Sequence, residues 1–232
     1  GLEAGSNGNS RFSLSLDIPS GRIGMHPSVS LVYSGDGGSG ICGKGFDLVV
    51  GSAIATDTRW GLPTYDMSQD TYLLDGVLLS VESSRPDCVL YSPERQVSYD
   101  RIMRVKTAER DYWTVTDKHG RVRLYGDGEG NWSGRDRTAK YVWYLERETD
   151  VWGNTVSYSY TTDSGCVYLD EIRYMGHGDV PGRYSVKLTY EDGRPDVRID
   201  ARGKFIAAMK KRLSSVCVRY DEREIRTYKL EY

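Results

Sequence analysis

Strict alternation of large apolar residues with small or polar ones recurs along this chain, and it constrains the fold more than any other feature. Phe12, Leu14, Leu16 and Ile18 alternate with Ser13, Ser15 and Asp17. Val29, Leu31 and Tyr33 continue the pattern, and so do Tyr141/Trp143/Leu145, Val156/Tyr158/Tyr160, Val186/Leu188/Tyr190, Val216/Val218/Tyr220 and Tyr228/Leu230/Tyr232. A period of two sends alternate side chains to opposite faces of an extended strand, whereas a helix repeats every 3.6 residues. Each run therefore reads as a half-buried strand. The aromatic set agrees, because 18 Tyr and 5 Trp against 3 Phe supply rings that pack a sheet while keeping a polar edge.

Hairpin chemistry fills the breaks between runs. Asp75-Gly76 separates Thr71 to Leu74 from Val77 to Val81, and such a pair supplies the positive φ of a two-residue connection. Asp117 to Arg121 and Asp150 to Asn154 both spell Asp-x-x-Gly-[Asn/Arg] between strand-like runs. In the second, Asp150 and Asn154 are expected as turn residues, with Gly153 at positive φ. Phe205 to Leu213 is the one helical candidate, since Phe205, Ala208, Met209 and Arg212 have helical spacing. The expectation is an all-β chain: large, mainly antiparallel sheets built from successive β-hairpins, with little helix, arranged as a β-sandwich or a fragment of a shell wall. Residues 1–10 read as a flexible leader and 11–232 as a single β domain. The closing hairpin, Tyr220 to Tyr232, ends flush on Leu230, Glu231 and Tyr232 without a polar tail, which points to a fragment of a larger multidomain protein.

Charge and motif content narrow the function. A net charge of -2 gives no field that would steer the whole molecule to nucleic acid, and no stretch approaches the roughly 20 apolar residues that span a bilayer. Cys42, Cys88, Cys166 and Cys217 lie far apart with no Cys-x-x-Cys pair, against a zinc ribbon or redox dithiol; two disulfides or four buried thiols both fit. Gly35 to Gly40 satisfies Gly-x-Gly-x-x-Gly, yet residues 46 to 55 are strand-like and supply no helix N-terminus for a pyrophosphate. In the phosphate-loop spelling from Gly38 to Lys44, Gly45 occupies the hydroxyl position. Asp127, Glu129 and Asn131 resemble a calcium loop in which Trp132 and Thr138 stand at the wrong places. Glu222-Arg223-Glu224 reads as a charged hairpin tip, and His26, His119 and His177 are scattered. No catalytic, cofactor or metal residue is assigned, and the chain is expected not to be an enzyme.

Residues 18 to 48 carry a pattern of Pro, Gly-x-x-Gly, a second Pro, a Leu-x-Tyr strand and a Gly-rich loop closing on an aromatic residue. Pro19, Gly21, Gly24, Pro27, Leu31, Tyr33, Gly40, Gly43 and Gly45 fit it. This resembles the N-terminal domain shared by the Salmonella virulence plasmid B protein and the B component of insecticidal toxin complexes, related to Rhs-type toxin shells. Ser39 stands where Asn is usual, and Phe46 replaces the usual Trp, keeping an aromatic plug without its N–H donor. The likeness continues in order through Gly61 to Tyr65, Tyr72 to Gly76, Trp113, Asp150 to Asn154, Ile172 to Tyr174, Arg194 to Asp196 and Arg212-Leu213. It implies a structural role for the motif positions Pro19, Gly21, Gly24, Pro27, Tyr33, Gly40, Gly43, Gly45, Asp150, Gly153, Asn154, Arg194, Asp196 and Arg212. It further implies a non-catalytic domain of an exported, secreted or cell-surface virulence protein. That domain would form part of a β shell that encloses or helps deliver a toxic polypeptide. The implied partners are downstream domains of the same protein and other toxin-complex components, with weak self-association and no cofactor. The competing expectation is a cell-surface carbohydrate-binding or adhesion domain in which Trp132 and exposed Tyr stack on sugar rings.

Overall fold

The computed structural model, which describes residues 2–4, 10–95 and 100–232, turns the alternating runs into antiparallel β structure. Among the described residues the helical content is a single 3-10 turn, Arg22–Gly24. Seven consecutive strands, Ala53–Thr56, Tyr72–Leu74, Val77–Arg85, Cys88–Pro93, Arg101–Lys106, Asp111–Thr116 and Val122–Tyr125, each pair with the next. The connection at Asp75-Gly76 takes positive φ at both residues, 47° and 82°, which matches the right-handed twist of its flanking strands.

Ala139–Thr149 then closes the seven strands into an eight-stranded barrel. Its residues 142–144 pair with 53–55, and its residues 145–149 pair with 122–125. At 11 residues it is long enough to bond two partners along each edge. The remaining length binds Trp132–Asp136 on one side and the start of Asn154–Asp163 on the other. From that second junction an open sheet continues through Cys166–His177, Tyr184–Glu191 and Arg212–Tyr220 to the edge strand Arg223–Lys229. One strand is thus shared by the barrel and the open sheet. The all-β reading holds; the barrel closure is a feature that the alternation does not announce.

A third body covers one face of the open sheet. Leu2–Ala4, Ser10–Ser15, Ser30–Ser34 and Phe46–Val49 form a four-stranded sheet. Leu16, Ile18, Leu31 and Leu48 pack against the buried cluster that contains Val156, Ile172, Tyr174, Val186, Leu188 and Val216. Polar bonds tie the two layers: Tyr174 Oη donates to the Pro19 carbonyl at 2.9 Å, and the Asp17 N–H donates to Tyr228 Oη at 2.9 Å. The leader expected over residues 1–10 lies mostly outside the described residues, and within it Leu2–Ala4 pairs with Ser10–Ser15.

The helical candidate from Phe205 to Leu213, one turn or two at most on its spacing, is corrected. Ala207–Met209 is a strand paired with Arg198–Asp200, and Arg212 opens the long strand Arg212–Tyr220. Ala208 is buried while Ile206 is exposed, and the Phe205 ring turns onto Tyr141 at 5.9 Å between centroids. Tertiary contacts thus impose a strand on a segment too short to offset the cost of helix nucleation.

Candidate functional site: a glycine loop held by a buried arginine

Three motif positions from the C-terminal half, Arg194, Asp196 and Arg212, converge on the Gly-rich loop. Arg194, whose side chain is fully buried, directs four N–H bonds to protein acceptors. Nε donates to Asp196 Oδ1 and Nη2 to Asp196 Oδ2, both at 3.1 Å; Nη1 reaches the Lys211 carbonyl at 3.2 Å and Nη2 the Gly40 carbonyl at 2.9 Å. A guanidinium has five N–H groups, so this one is committed to holding three chain segments together. Gly40 must be glycine for reach: a Cβ there would stand 2.5 Å from the Phe46 carbonyl oxygen and 2.7 Å from Asp47 Cγ.

Loop backbone groups face inward. Gly37 N donates to Ser34 O, Gly45 N to Gly38 O, and Ile41 N to Asp47 Oδ1. Those N–H groups are spent on the protein, and the loop runs into the strand Phe46–Val49, so its geometry is that of a strand connection and not of a phosphate cradle. Gly43 lies beside the Tyr232 ring, over which the Arg212 guanidinium sits at 3.8 Å. Tyr33 stacks on Phe46 with centroids 4.7 Å apart. Phe46 is 39% exposed, so it lids Tyr33 at the surface rather than plugging the core. Electrostatics follow the packing. Hydrogen bonds from Arg194 and Ser39 hold Asp196 at about 2, well below an ordinary carboxyl. Burial, helped by Asp47, pushes the Cys42 thiol up to about 12, which keeps it protonated and unreactive. All four cysteines are free thiols.

Asp150, Gly153 and Asn154 sit elsewhere, at the opposite end of the open sheet's strands. The register places Asn154 beside His177 and the far end, Asp163, beside Cys166, roughly 30 Å away at about 3.3 Å per residue. Asp150 Oδ1 accepts from the N–H groups of Trp152 (2.9 Å) and Asn154 (2.8 Å), and Oδ2 accepts from Asn154 Nδ2. Burial raises the Asp150 carboxyl, and these bonds more than reverse it, so the group ends below its ordinary value. The turn at Asp117 repeats the arrangement, Oδ1 accepting from His119 and Arg121. Pro19, Gly21, Gly24 and Pro27 lie in the connection between Ser10–Ser15 and Ser30–Ser34, where Pro27 is buried.

Sequence reading missed the barrel interior. Arg104 and Asp111, 3% and 4% exposed, form a bidentate pair at 2.9 Å. Around them stand Tyr72, Trp113 and Trp143, with the guanidinium 5.0, 5.4 and 4.6 Å from their ring centroids. Arg104 Nη1, Tyr91 Oη and both indole N–H groups have no hydrogen-bond partner among the described residues; ring faces stand in for acceptors around the cation. A signal was present, because alternation puts Arg104 on the face of Ile102, and Asp111 on the face of Trp113 and Val115. Trp132, the residue on which sugar stacking was expected, is half-buried with Lys140 Nζ 5.2 Å from its ring centre.

Comparison with known proteins places this architecture. No curated protein sequence matches the chain. The structure of the N-terminal domain of effector protein SpvB from Salmonella typhimurium strain LT2 superposes with a TM-score of 0.80 at 18% identity, covering 94% of this chain and 99% of that one. The crystal structure of TcdB2-TccC3 gives a TM-score of 0.84 at 18% identity, over 95% of this chain but 14% of that one. The Photorhabdus luminescens Tc holotoxin pore carrying TccC3-D651A gives 0.80 at 19% identity, over 92% and 13%. The chain therefore spans a small part of the toxin-complex proteins it resembles. The family model for the Salmonella virulence plasmid 65kDa B protein matches residues 4–226, and the chain belongs to that family.

Proposed function

We propose that the chain is a non-catalytic wall segment of a toxin-complex-type virulence protein, secreted or displayed at the cell surface, that helps enclose or deliver a toxic polypeptide. The observation that carries this reading is the double use of Ala139–Thr149, which fuses a closed barrel to an open sheet. A barrel has no free edge, whereas the open sheet ends on Arg223–Lys229, bonded on one side only among the described residues. Such a piece is rigid at one end and extendable at the other. The Arg194 clamp fits the same role, since four of its five N–H donors are committed to joining its own segment with Gly40 and Lys211. Its partners are further domains of a longer protein and other toxin-complex components.

Protease protection tests the reading. The longer protein that contains this chain, produced together with its toxin-bearing partner polypeptide, should shield that polypeptide from digestion. Digestion of the partner at the same rate with and without the protein would overturn the proposal.

A further inference from the structure

A cleft of about 620 Å³ lies where the end of the N-terminal layer, the first barrel strand and the open sheet meet. Leu48, Leu169 and Leu188 line it, and three half-buried tyrosines, Tyr144, Tyr160 and Tyr190, stand along it. Tyr160 and Tyr190 donate their hydroxyl protons to the carbonyls of Leu145 and Leu169, so the rings, and not the hydroxyls, are left for a ligand. The Tyr144 ring tilts against that of Tyr160 at 36°, with centroids 5.2 Å apart.

The charge of this lining has one sign. Asp47 and Asp75 belong to it, and no Lys, Arg or His does among the described residues. Both carboxylates bond only neutral groups and keep their charge. Asp47 Oδ1 accepts from the N–H groups of Ile41 and Leu48, while Asp75 accepts from Ala53 N–H at 2.9 Å and Ser52 Oγ at 2.6 Å. Bases approach from adjoining cavities. Exposed Arg198 shares one with Asp47, and setting the two against each other removes Asp47 from the count. Arg121 and Arg123 share another with Asp75, but Glu148 lines it too, and Arg123 pairs with Asp100 at 3.2 Å. One negative charge, that of Asp75, is left over. It stands by the tyrosines, because Asp75 Oδ1 holds Ala53, the residue paired with Tyr144.

An acid beside half-buried rings selects an organic cation. Ring faces attract a cation within about 6 Å of their centroids, and the cleft has the size of small-molecule sites, roughly 300–1,000 Å³. A hard metal ion takes about six oxygen ligands or more, whereas the oxygens of Asp75, Tyr160 and Tyr190 are already engaged. We propose that this cleft binds a small-molecule primary amine with an apolar body, in its ammonium form. The cation lies between Asp75 and the rings of Tyr144 and Tyr160, and the body runs along Leu169 and Leu188. A monocation closes the surplus of one charge.

Calorimetry on the full chain with three matched ligands tests this: 2-phenylethylammonium, the neutral 2-phenylethanol and the anion 3-phenylpropanoate. The ammonium should bind saturably and more tightly than the alcohol by roughly threefold or more, and the anion should bind more weakly than either. Asp75→Asn keeps the turn, since Asn tolerates the positive φ of 47° at that position. It should weaken the ammonium by roughly three- to fivefold, the scale of an exposed charge pair, and leave the alcohol unchanged. Tyr144→Leu should weaken the ammonium by roughly twofold or more, and Tyr144→Phe should not. In the unsubstituted protein, amide NMR shifts on adding the ammonium should centre on Gly51, Ser52 and Ala53, a readout independent of how any variant folds. Absence of saturable ammonium binding, equal or tighter binding of the alcohol or the anion, unchanged affinity in a folded Asp75→Asn or Tyr144→Leu, or amide shifts centred elsewhere would each overturn the proposal. Tighter binding of a capped lysine peptide than of 2-phenylethylammonium would overturn it too, by assigning the cleft to a polypeptide.

Discussion

The barrel and the open sheet share a strand yet solve the problem of a specific interior in different ways. The barrel surrounds an ion pair, Arg104 with Asp111, by Tyr72, Tyr91, Trp113 and Trp143. The open sheet packs Val156, Ile172, Val186, Leu188 and Val216 under the N-terminal layer and sends the hydroxyls of Tyr160, Tyr174 and Tyr190 to backbone carbonyls, Tyr160 to Leu145 at 2.6 Å. An apolar interior tolerates small changes of shape. A buried ion pair tolerates no loss of one partner, because the survivor is left charged and unsolvated.

The largest test of that contrast is therefore Asp111→Ala. Equilibrium denaturation should show a loss of roughly 3–5 kcal/mol, and the paired replacement Arg104→Met with Asp111→Leu should recover most of it. In the open sheet Ile172→Val should cost only about 0.5–1.5 kcal/mol. Equal penalties for Asp111→Ala and the paired replacement would show that the pair contributes as volume, and the contrast would fail.

Next in size comes the turn at Gly153, whose φ is 82° and whose Cβ position lies 3.2 Å from His177 Nε2. Gly153→Val forces a branched side chain into the left-handed region and should cost on the order of 1–3 kcal/mol. An unchanged denaturant midpoint would refute the role of this turn in setting the register between Asn154–Asp163 and Cys166–His177.

The Arg194 clamp belongs to the open-sheet side and responds to pH. Asp196 has a depressed folded-state value of about 2, so its contribution is complete above the ordinary carboxyl value of roughly 4 and is lost as pH falls through about 2. Because Asp196 is partly exposed, screening reduces the effect to about 1 kcal/mol. Asp196→Asn should flatten the stability profile between about pH 4 and 2. A profile identical to that of the unsubstituted chain would remove the clamp as its source.

Legibility in the sequence followed the range of the interactions. Strands and tight turns depend on neighbours, so alternation and the Asp75-Gly76 and Asp150 to Asn154 signals carried them. Barrel closure depends on Val142 meeting Ala55 and Arg147 meeting Leu124, pairings that no local pattern encodes. Helical spacing in Phe205 to Leu213 misled for the same reason, since the strand there is set by its partner Arg198–Asp200. Glycines of the loop were visible as a motif, but their holder Arg194 lies 154 residues from Gly40. Arg104 was hidden because a charged residue on an apolar face reads as noise until its counter-ion is placed opposite.

The smallest effect on stability, and the sharpest distinction between the two regions, concerns edges. Among the described residues Arg223–Lys229 pairs with Arg212–Tyr220 alone, and the register jumps so that Val218 faces Arg226 while Arg219 faces Glu224, leaving Ile225 as an unpaired bulge. Bulges and charged side chains are the devices that blunt an open edge against a second copy. Arg223, Glu224, Arg226 and Lys229 are all exposed, so the edge stays receptive to a matched strand yet pairs only weakly with itself. Replacing Arg223 and Lys229 together by Val should leave the denaturation midpoint within about 0.5 kcal/mol. The same change removes two of the charges that keep copies apart. Light scattering should then show association rising with concentration in the double variant, well above that of the unsubstituted chain. Equivalent substitutions on the barrel strand Arg101–Lys106, at exposed Arg101, should produce no such rise, because both of its edges are already bonded. Association of similar strength in both variants would mean that surface hydrophobicity, and not the free edge, drives contact.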